Sequence, residues 1–430
     1  MNPLRLINKY RTHTKNANIK FIADKSTAAF VVKAPAGTVL TVDWGDGTPA
    51  EDFAMTGNSV SISKDYGTEK DRCITFCGTG NAQITYLRCN SNFKYVNVAE
   101  NTELTYLECR SNRITELDLS RNTKLATIKC TSNYELGSLI ISDNCKTTLD
   151  RLEMSAVRKL TALDLSNFTA LTYLDCWSSL LLATLNLSGC TSLETLKCFS
   201  CNISSLNVTG CTALTNLECY YNKIGSLNVS TCTALTDLDC FGNSLSSLDI
   251  SGNPALTKLN YGRNNISSVD ISAHTGLTEL GFAETRVASI DLSAHTALQH
   301  LNCNMCYYLT SINISALTLL EYFNCSQCTQ LAGIDVSHNT ALKSLWCDSI
   351  GLSSLNINNN TRLEFLWCQD NNFSSTVINT HLAKLVANNV TTGTRSYNSL
   401  SQTPPAPPTG QGITDKATLT SMGWSISTDE

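Results

Sequence analysis

Fourteen times along this chain a leucine-like residue is followed two places later by a cysteine or a substitute for it. These rungs fall at Cys89, Cys109, Cys130, Met154, Cys176, Cys198, Cys219, Cys240, Tyr261, Phe282, Cys303, Cys325, Cys347 and Cys368, with gaps of 20 to 24 residues, most often 21. A fixed period of this size is the signature of a solenoid. Each coil of a solenoid packs only on its neighbours, so 430 residues need not divide into the two or three domains that such a length ordinarily holds.

One unit runs Leu104-Thr-Tyr-Leu107-Glu-Cys109-Arg-Ser-Asn112-Arg-Ile114-Thr-Glu-Leu117-Asp-Leu119. It matches L-x-x-L-x-L-x-x-N/C-x-L, the leucine-rich repeat, with Cys in the sixth position. Strand alternation puts Leu107 and Cys109 inside and turns Tyr106, Glu108 and Arg110 outward. Stacked units predict a parallel sheet with ~4.8 Å between strands, roughly 65 Å for fourteen rungs. The second half of each unit, such as SSLNVTG at 204–210, is β-branched and alternating and predicts a short extended run on the opposite wall.

Residues 1–16 read as a flexible arm. Residues 17–80 hold short strand patterns (IKFIA, AAFVVKA, TVLTVDW, SVSIS, CITFC) separated by turns, a small β-sandwich. The repeats occupy 81–373. Residues 374–430 lose the period, with helical spacing at Val377, Ile378, Leu382, Leu385 and Val386 and a final strand WSIS; an open solenoid end exposes apolar core, so this segment reads as an α+β cap. The fold class is thus a β-rich leucine-rich repeat solenoid of the α/β superclass, of about 14 rungs, with a cap at each end.

The unit TALTNLECYYNKIGSLNVSTC at 212–232 resembles the 21-residue cysteine-ladder repeats of internalin-like bacterial surface proteins, and the resemblance covers 84–373. Thr41-Val-Asp-Trp-Gly-Asp-Gly-Thr48 resembles the WGDG strand–turn of polycystic-kidney-disease-type (PKD) sandwich domains. The terminal ATLTSMGWSIS is similar to endings of repeat proteins in bacterial and phage surface structures. The resemblance implies non-catalytic adhesion to host proteins or glycans at the cell surface. Internalin-like proteins usually carry a signal peptide, whereas MNPLRLINKYRTHTKNANIKF has no apolar stretch of signal-peptide length; the signal is either not used or already removed. A virion-associated tail component, using the solenoid as spacer or receptor reader, is the alternative.

Eleven of the twenty cysteines are inward rungs. Cys201, Cys306 and Cys328 fall three places after a rung, where other units carry Asn112, Asn133, Asn222, Asn243, Asn264 and Asn371. Repeat position therefore explains the C-x-x-C pairs that otherwise suggest zinc. Cys190, Cys211 and Cys232 form another column, continued by Asn253, His274 and His295, which reads as a stacked surface column. Neighbouring rungs have parallel Cα–Cβ vectors, which opposes disulfide torsion. Reduced thiols are expected, with Cys73 and Cys77 as the pair best placed to form an exception.

The residue just after the rung gives Trp177, Phe199, Tyr220 and Phe241 in four consecutive units. Asp175, Lys197, Glu218, Asp237 and Asp239 point outward on the same strands. Tyr86, Tyr106 and Tyr173 precede them, and Tyr322, Trp346, Phe365 and Trp367 follow. Rings in this arrangement form either a ladder that stabilises the sheet by ~0.5–1.5 kcal/mol per pair or a recognition stripe for a protein or glycan ligand. Three of the five tryptophans sit in these positions, which favours the stripe. Its members are Tyr106, Tyr173, Asp175, Trp177, Phe199, Glu218, Tyr220, Asp239, Phe241, Tyr322, Trp346 and Trp367.

A net charge of −5 opposes binding to nucleic acid, and no run of 18 apolar residues spans a bilayer. No nucleophile-elbow, phosphate-loop, zinc-protease or dinucleotide motif occurs, so no enzyme activity or cofactor is expected. Asp43 and Asp46 in the WGDG turn supply two carboxylates where calcium needs six or more oxygens, and read as hairpin formers. Nothing in the repeats fixes an oligomeric state.

Overall fold

The computed structural model describes residues 19–78, 83–90, 92–390 and 394–430. The arm at 1–16 and the last residues assigned to the sandwich lie outside the described residues. The chain divides into two compact units, Met1–Ile224 and Gly225–Glu430.

The first unit opens with six antiparallel strands, β1 Ile19–Ala23, β2 Thr27–Lys33, β3 Val39–Asp43, β4 Glu51–Ala54, β5 Val60–Asp65 and β6 Arg72–Gly78. They form two sheets, β4-β3-β6-β1 and β5-β2. Alternation buries one face of each: Phe21, Phe30 and Phe76 meet with centroids 4.6 to 5.3 Å apart. Phe93, from the first repeat coil, packs 5.0 Å from Phe30 and 5.1 Å from Phe21. Both sheets then run on into that coil, β2 pairing antiparallel with Tyr86–Arg88 and β1 with Tyr95–Asn97. The exposed edge and the apolar end of the repeats are thus both covered.

Seven three-residue strands follow in parallel, from Tyr86–Arg88 to Asn216–Glu218. Their register places leucine opposite leucine-like residue throughout, as in Leu87 with Leu107 and Leu196 with Leu217. The residue two places on is fully buried in every one of these coils. A sharp turn comes next. The second residue after the rung is left-handed, with φ of 53° at Ser111, 58° at Ser132 and 53° at Tyr221. The third donates its side chain back to main-chain carbonyls: Asn133 Nδ2 reaches the oxygens of Cys109 and Cys130, each at 2.8 Å. Cys201 does the same with its thiol, 3.2 Å from the Cys176 oxygen. On the opposite wall, Ala162–Asp164, Thr184–Asn186 and Ser205–Asn207 form a short parallel sheet, as the β-branched pattern predicts. The 24-residue coil between Cys130 and Met154 takes up its extra length in a 3-10 turn at Asp143–Thr147.

The second unit repeats the scheme with seven parallel strands, from Asp237–Asp239 to Phe365–Trp367. The cap then continues the sheet. Ser396–Ser399 and Ser425–Thr428 add two further strands, with Tyr397 opposite Leu366 and Ile426 opposite Tyr397. Ser399 occupies a rung, Ser401 takes the left-handed position with φ 61°, and Gln402 Nε2 donates to the oxygens of Cys368 and Ser399, both at 3.1 Å. The cap is therefore two longer coils, whose extra residues form the helices α1 Ser375–Asn388 and α2 Gln411–Ser421. Ile378, Leu382 and Leu385 lie on the buried face of α1, and Asn389 ends it in the left-handed region.

Two expectations need correction. The Cys190 column is not on the surface. Cys190, Cys211 and Cys232 are fully buried, as are Asn253, His274 and His295 in effect. They close a second corner: Cys190 Sγ donates to the Leu165 oxygen at 3.1 Å, Asn253 Nδ2 to Val229 at 3.0 Å, and His274 Nε2 to Ile250 at 3.2 Å. Cys73 and Cys77 are free thiols, like the other cysteines. They stand four apart on one strand, a separation of about 13 Å at strand rise, beyond disulfide reach.

Candidate functional site

On the sheet face of the first unit, outward residues form three columns flanking each buried leucine and rung. Each side chain leans on its counterpart one coil away, which leaves most of them half-buried. In the column after the rung, Trp177 and Phe199 stack with centroids 5.4 Å apart and planes 8° from parallel; Phe199 and Tyr220 stack at 4.4 Å, also at 8°. Trp177, at one end of the stack, is 39% exposed.

Tyr106 stacks instead on Tyr86 at 4.3 Å and donates its hydroxyl to Glu108 at 2.8 Å. Tyr173 lies under the guanidinium of Arg151, 3.7 Å from its ring centre, a cation–π contact. A charge cluster occupies the strands between these tyrosines. Glu153 takes Arg151 at 2.6 Å, Lys129 at 3.1 Å and Arg110. Burial pushes its carboxyl up, but these cations outweigh burial and hold it below the ordinary range. Asp175 has the opposite balance. Burial dominates, the Trp177 amide at 3.4 Å offsets it only in part, and its carboxyl is raised to about 6. Glu218 pairs with Lys197 at 3.0 Å.

Strand alternation does not reveal three further exposed apolar residues, which lie in the turns after the rungs. Leu180, Leu181 and Tyr221 are each close to half exposed, and Tyr221 meets Tyr220 edge-on at 5.8 Å. The sequence signal is the run Leu180-Leu181-Leu182: one leucine fills the coil, and Leu182 is the one fully buried.

The remaining predicted residues belong to the second unit. Phe241 is half-buried and its amide is held by Asp239 Oδ1 at 3.0 Å. Its ring lies where a Cβ on Gly262 would come within 2.9 Å, so a glycine there makes room for it. Trp346 and Trp367 lie 4.3 Å apart, Tyr322 is 6.4 Å from Trp346, and Trp367 donates to Ser396 Oγ at 3.1 Å.

The other candidate chemistries are used up by structure. In the WGDG turn, Asp43 Oδ1 accepts from the Gly45 amide at 2.9 Å, and Asp46 accepts from Thr48 and pairs with Lys64 at 3.3 Å. Burial pushes the rung thiols up, Cys130 to about 12, which leaves them protonated and unreactive. Among the described residues no group of three or more His, Cys, Asp or Glu is placed to hold a metal ion, and no helix is long and apolar enough to cross a membrane.

The fold is a leucine-rich repeat β-solenoid with a buried cysteine ladder. Among solved structures it is similar to the functional domain of InlJ from Listeria monocytogenes, itself described as including a cysteine ladder: 26% identity, TM-score 0.57, covering 77% of each chain. A leucine-rich repeat protein of Leptospira interrogans matches at 18% identity and TM-score 0.47, over 64% of this chain and 75% of that one. The internalin InlF of Listeria monocytogenes matches at 18% and 0.45, over 79% and 86%. No family profile matches the sequence, and a search of curated proteins finds no match.

Proposed function

We propose that this chain is a recognition protein of the bacterial surface adhesin type, acting outside the cell and binding a protein partner on the sheet face of its first unit. The carrying observation is the Trp177–Phe199–Tyr220 stack, with Tyr221 edge-on to Tyr220 and with Leu180 and Leu181 exposed in the turn that follows Trp177. Large apolar side chains exposed on one sheet face and in its turns are unusual for a surface that only meets water. Aromatic anchors flanked by ionised rims are what protein interfaces use.

Ring geometry favours protein over glycan. Sugar C–H groups pack on ring faces, yet both faces of Phe199 are covered by its neighbours in the stack. What the column offers a partner is ring edges and leucine methyls. Similarity to InlJ supports an extracellular setting, and the WGDG turn supports a PKD-like reading of the N-terminal two-sheet domain.

The test is an array of host-cell surface proteins and glycans probed with wild type and the double variant Trp177→Ala/Tyr220→Ala. The expected result is a protein hit that weakens at least tenfold in the variant, about 1.4 kcal/mol. Equal binding by both would remove this face from consideration.

A further inference from the structure

Three coils carry cysteine where others carry asparagine at the corner after the rung: Cys201, Cys306 and Cys328. Either residue donates to a carbonyl there, but only the thiol can be oxidised to a covalent link. A link needs a second sulfur, and the nearest place for one is the rung of the coil before. Behind Cys306 that rung is Phe282, which has none. Behind Cys201 it is Cys176, and behind Cys328 it is Cys303.

Cys201 Sγ lies 3.2 Å from the Cys176 oxygen and 3.5 Å from the Phe199 oxygen. The two thiols also meet, the Cys176 S–H serving the Cys201 sulfur. Ser200 makes this approach possible. Its φ of 54° bends the chain just before Cys201, which takes the corner out of the strand direction that the rungs share. Parallel Cα–Cβ vectors, which keep the rungs from joining one another, therefore do not apply between corner and rung. Cys201 is partly exposed, whereas Cys176 is fully buried. The Cys176 S–H, helped by the main chain at Ser178 and Ser179, draws the Cys201 thiol below its ordinary range against the opposing effect of burial. The bond to Cys201 and burial together keep Cys176 protonated. An oxidant in solution thus meets the corner sulfur first. Cys328 shares the arrangement, with Sγ 3.0 Å from the Cys303 oxygen, but both of these thiols are closed to solvent.

We infer that Cys201 and Cys176 form a peroxide-sensitive disulfide site, which ties together the two coils that carry Trp177 and Phe199. The Cys201 thiolate attacks one oxygen of hydrogen peroxide. The O–O bond breaks, a sulfenic acid forms, and the departing hydroxide takes up the proton that Cys201 released, giving water. The Cys176 sulfur then attacks the Cys201 sulfur. The S–O bond breaks, and the leaving hydroxide carries off the Cys176 proton as a second water. Two thiols are oxidised to one disulfide, and one peroxide is reduced to two waters. The site does not depend on what the sheet face binds.

The experiment treats the folded full chain with hydrogen peroxide, blocks the remaining thiols in denaturant, and reads tryptic peptides by tandem mass spectrometry. Cleavage after Lys159, Lys197 and Lys223 puts Cys176 in 160–197 and Cys201 in 198–223. The expected product joins these peptides through Cys176 and Cys201, with a loss of about 2 Da that dithiothreitol reverses. Cys303 and Cys328 are expected to be recovered as thiols. Cys201→Asn, which restores the residue of other corners, is expected to abolish the link without lowering the melting temperature. Cys176→Ala is expected to stop the reaction at a Cys201 sulfenic acid that dimedone traps. No link between Cys176 and Cys201 in the folded chain would overturn the inference. So would a link from Cys201 to Cys198, oxidation of Cys303 and Cys328 as early as that of Cys201, or a folded Cys176→Ala variant that dimedone leaves unlabelled at Cys201.

Discussion

Replacing Asn133 by alanine removes a donor that serves two main-chain oxygens, those of Cys109 and Cys130, each at 2.8 Å. Both bonds are buried, so the truncated side chain leaves two carbonyls without a donor, at about 1–3 kcal/mol each. The expected loss is roughly 2–5 kcal/mol, toward the lower end where a water enters the space left behind. Asn133→Cys is the sharper perturbation. Asn133 Oδ1 has no partner, so the position uses a donor alone. A thiol supplies one, as Cys201 does at this place with a single bond of 3.2 Å to the preceding rung. The cysteine variant is expected to lose about half as much as alanine, and Asn133→Asp, which turns a carboxylate on two carbonyls, to lose the most. Urea denaturation followed by circular dichroism gives the order of the variants. Repeat arrays need not unfold in one step, so amide hydrogen exchange between Cys109 and Asn133 localises the effect. An alanine variant within about 0.5 kcal/mol of wild type, the range of a featureless surface site, would refute the reasoning. So would a cysteine variant as damaged as alanine.

Leu217→Ala, fully buried in mid-array, is expected to cost ~2–5 kcal/mol by chemical denaturation. Gly45→Ala is expected to destabilise the N-terminal sheets by more than 1 kcal/mol in a thermal melt, because φ is +68° and a Cβ would meet the Cys73 oxygen at 2.4 Å. Asp175 and His381 respond to acid in opposite senses. Burial raises Asp175 to about 6, so the fold takes up its proton before the unfolded chain does; this contribution is largest below pH 3.8 and is lost as pH rises through 6. Burial lowers His381 to about 4 while its Nε2 donates to the Leu355 oxygen at 2.9 Å, so its contribution is full above pH 6.5 and lost as pH falls toward 4. Exchange measured from pH 4 to 7 should show protection near Trp177 falling with pH and protection near Tyr397 rising, and Asp175→Asn should flatten the first trend alone.

The ladder was legible because buried leucines and thiols recur at fixed register, and burial follows strand alternation without exception at the rungs. What escaped was everything that depends on the corners. The columns at Asn133 and at Cys190 mix asparagine, cysteine and histidine, which look chemically unrelated in a sequence. Coordinates show what they share: each presents one N–H or S–H to a carbonyl of the coil before it, and the acceptor atoms of Asn133, Asn253, His274 and His295 have no partner. His274 and His295 are thus corner donors. The same grammar continues into the cap, where Ser399 and Gln402 repeat the roles of rung and corner. It was hidden there because Ser399 stands 31 places beyond Cys368, the difference being taken up by α1, and a serine replaces the thiol.

The candidate sites fall where that grammar is loose. Alternation fixes which face a strand residue occupies, so Trp177, Phe199 and Tyr220 could be named in advance. Leu180, Leu181 and Tyr221 lie in the turn beyond, where chain direction reverses and alternation carries no information; only a surplus leucine hints that one side chain more than the coil can hold must lie outside. Tyr261 is the converse case. A large residue on a rung reads as core filling, and its ring is buried against Phe282 as that reading expects, while its hydroxyl, closed to solvent, has no protein partner.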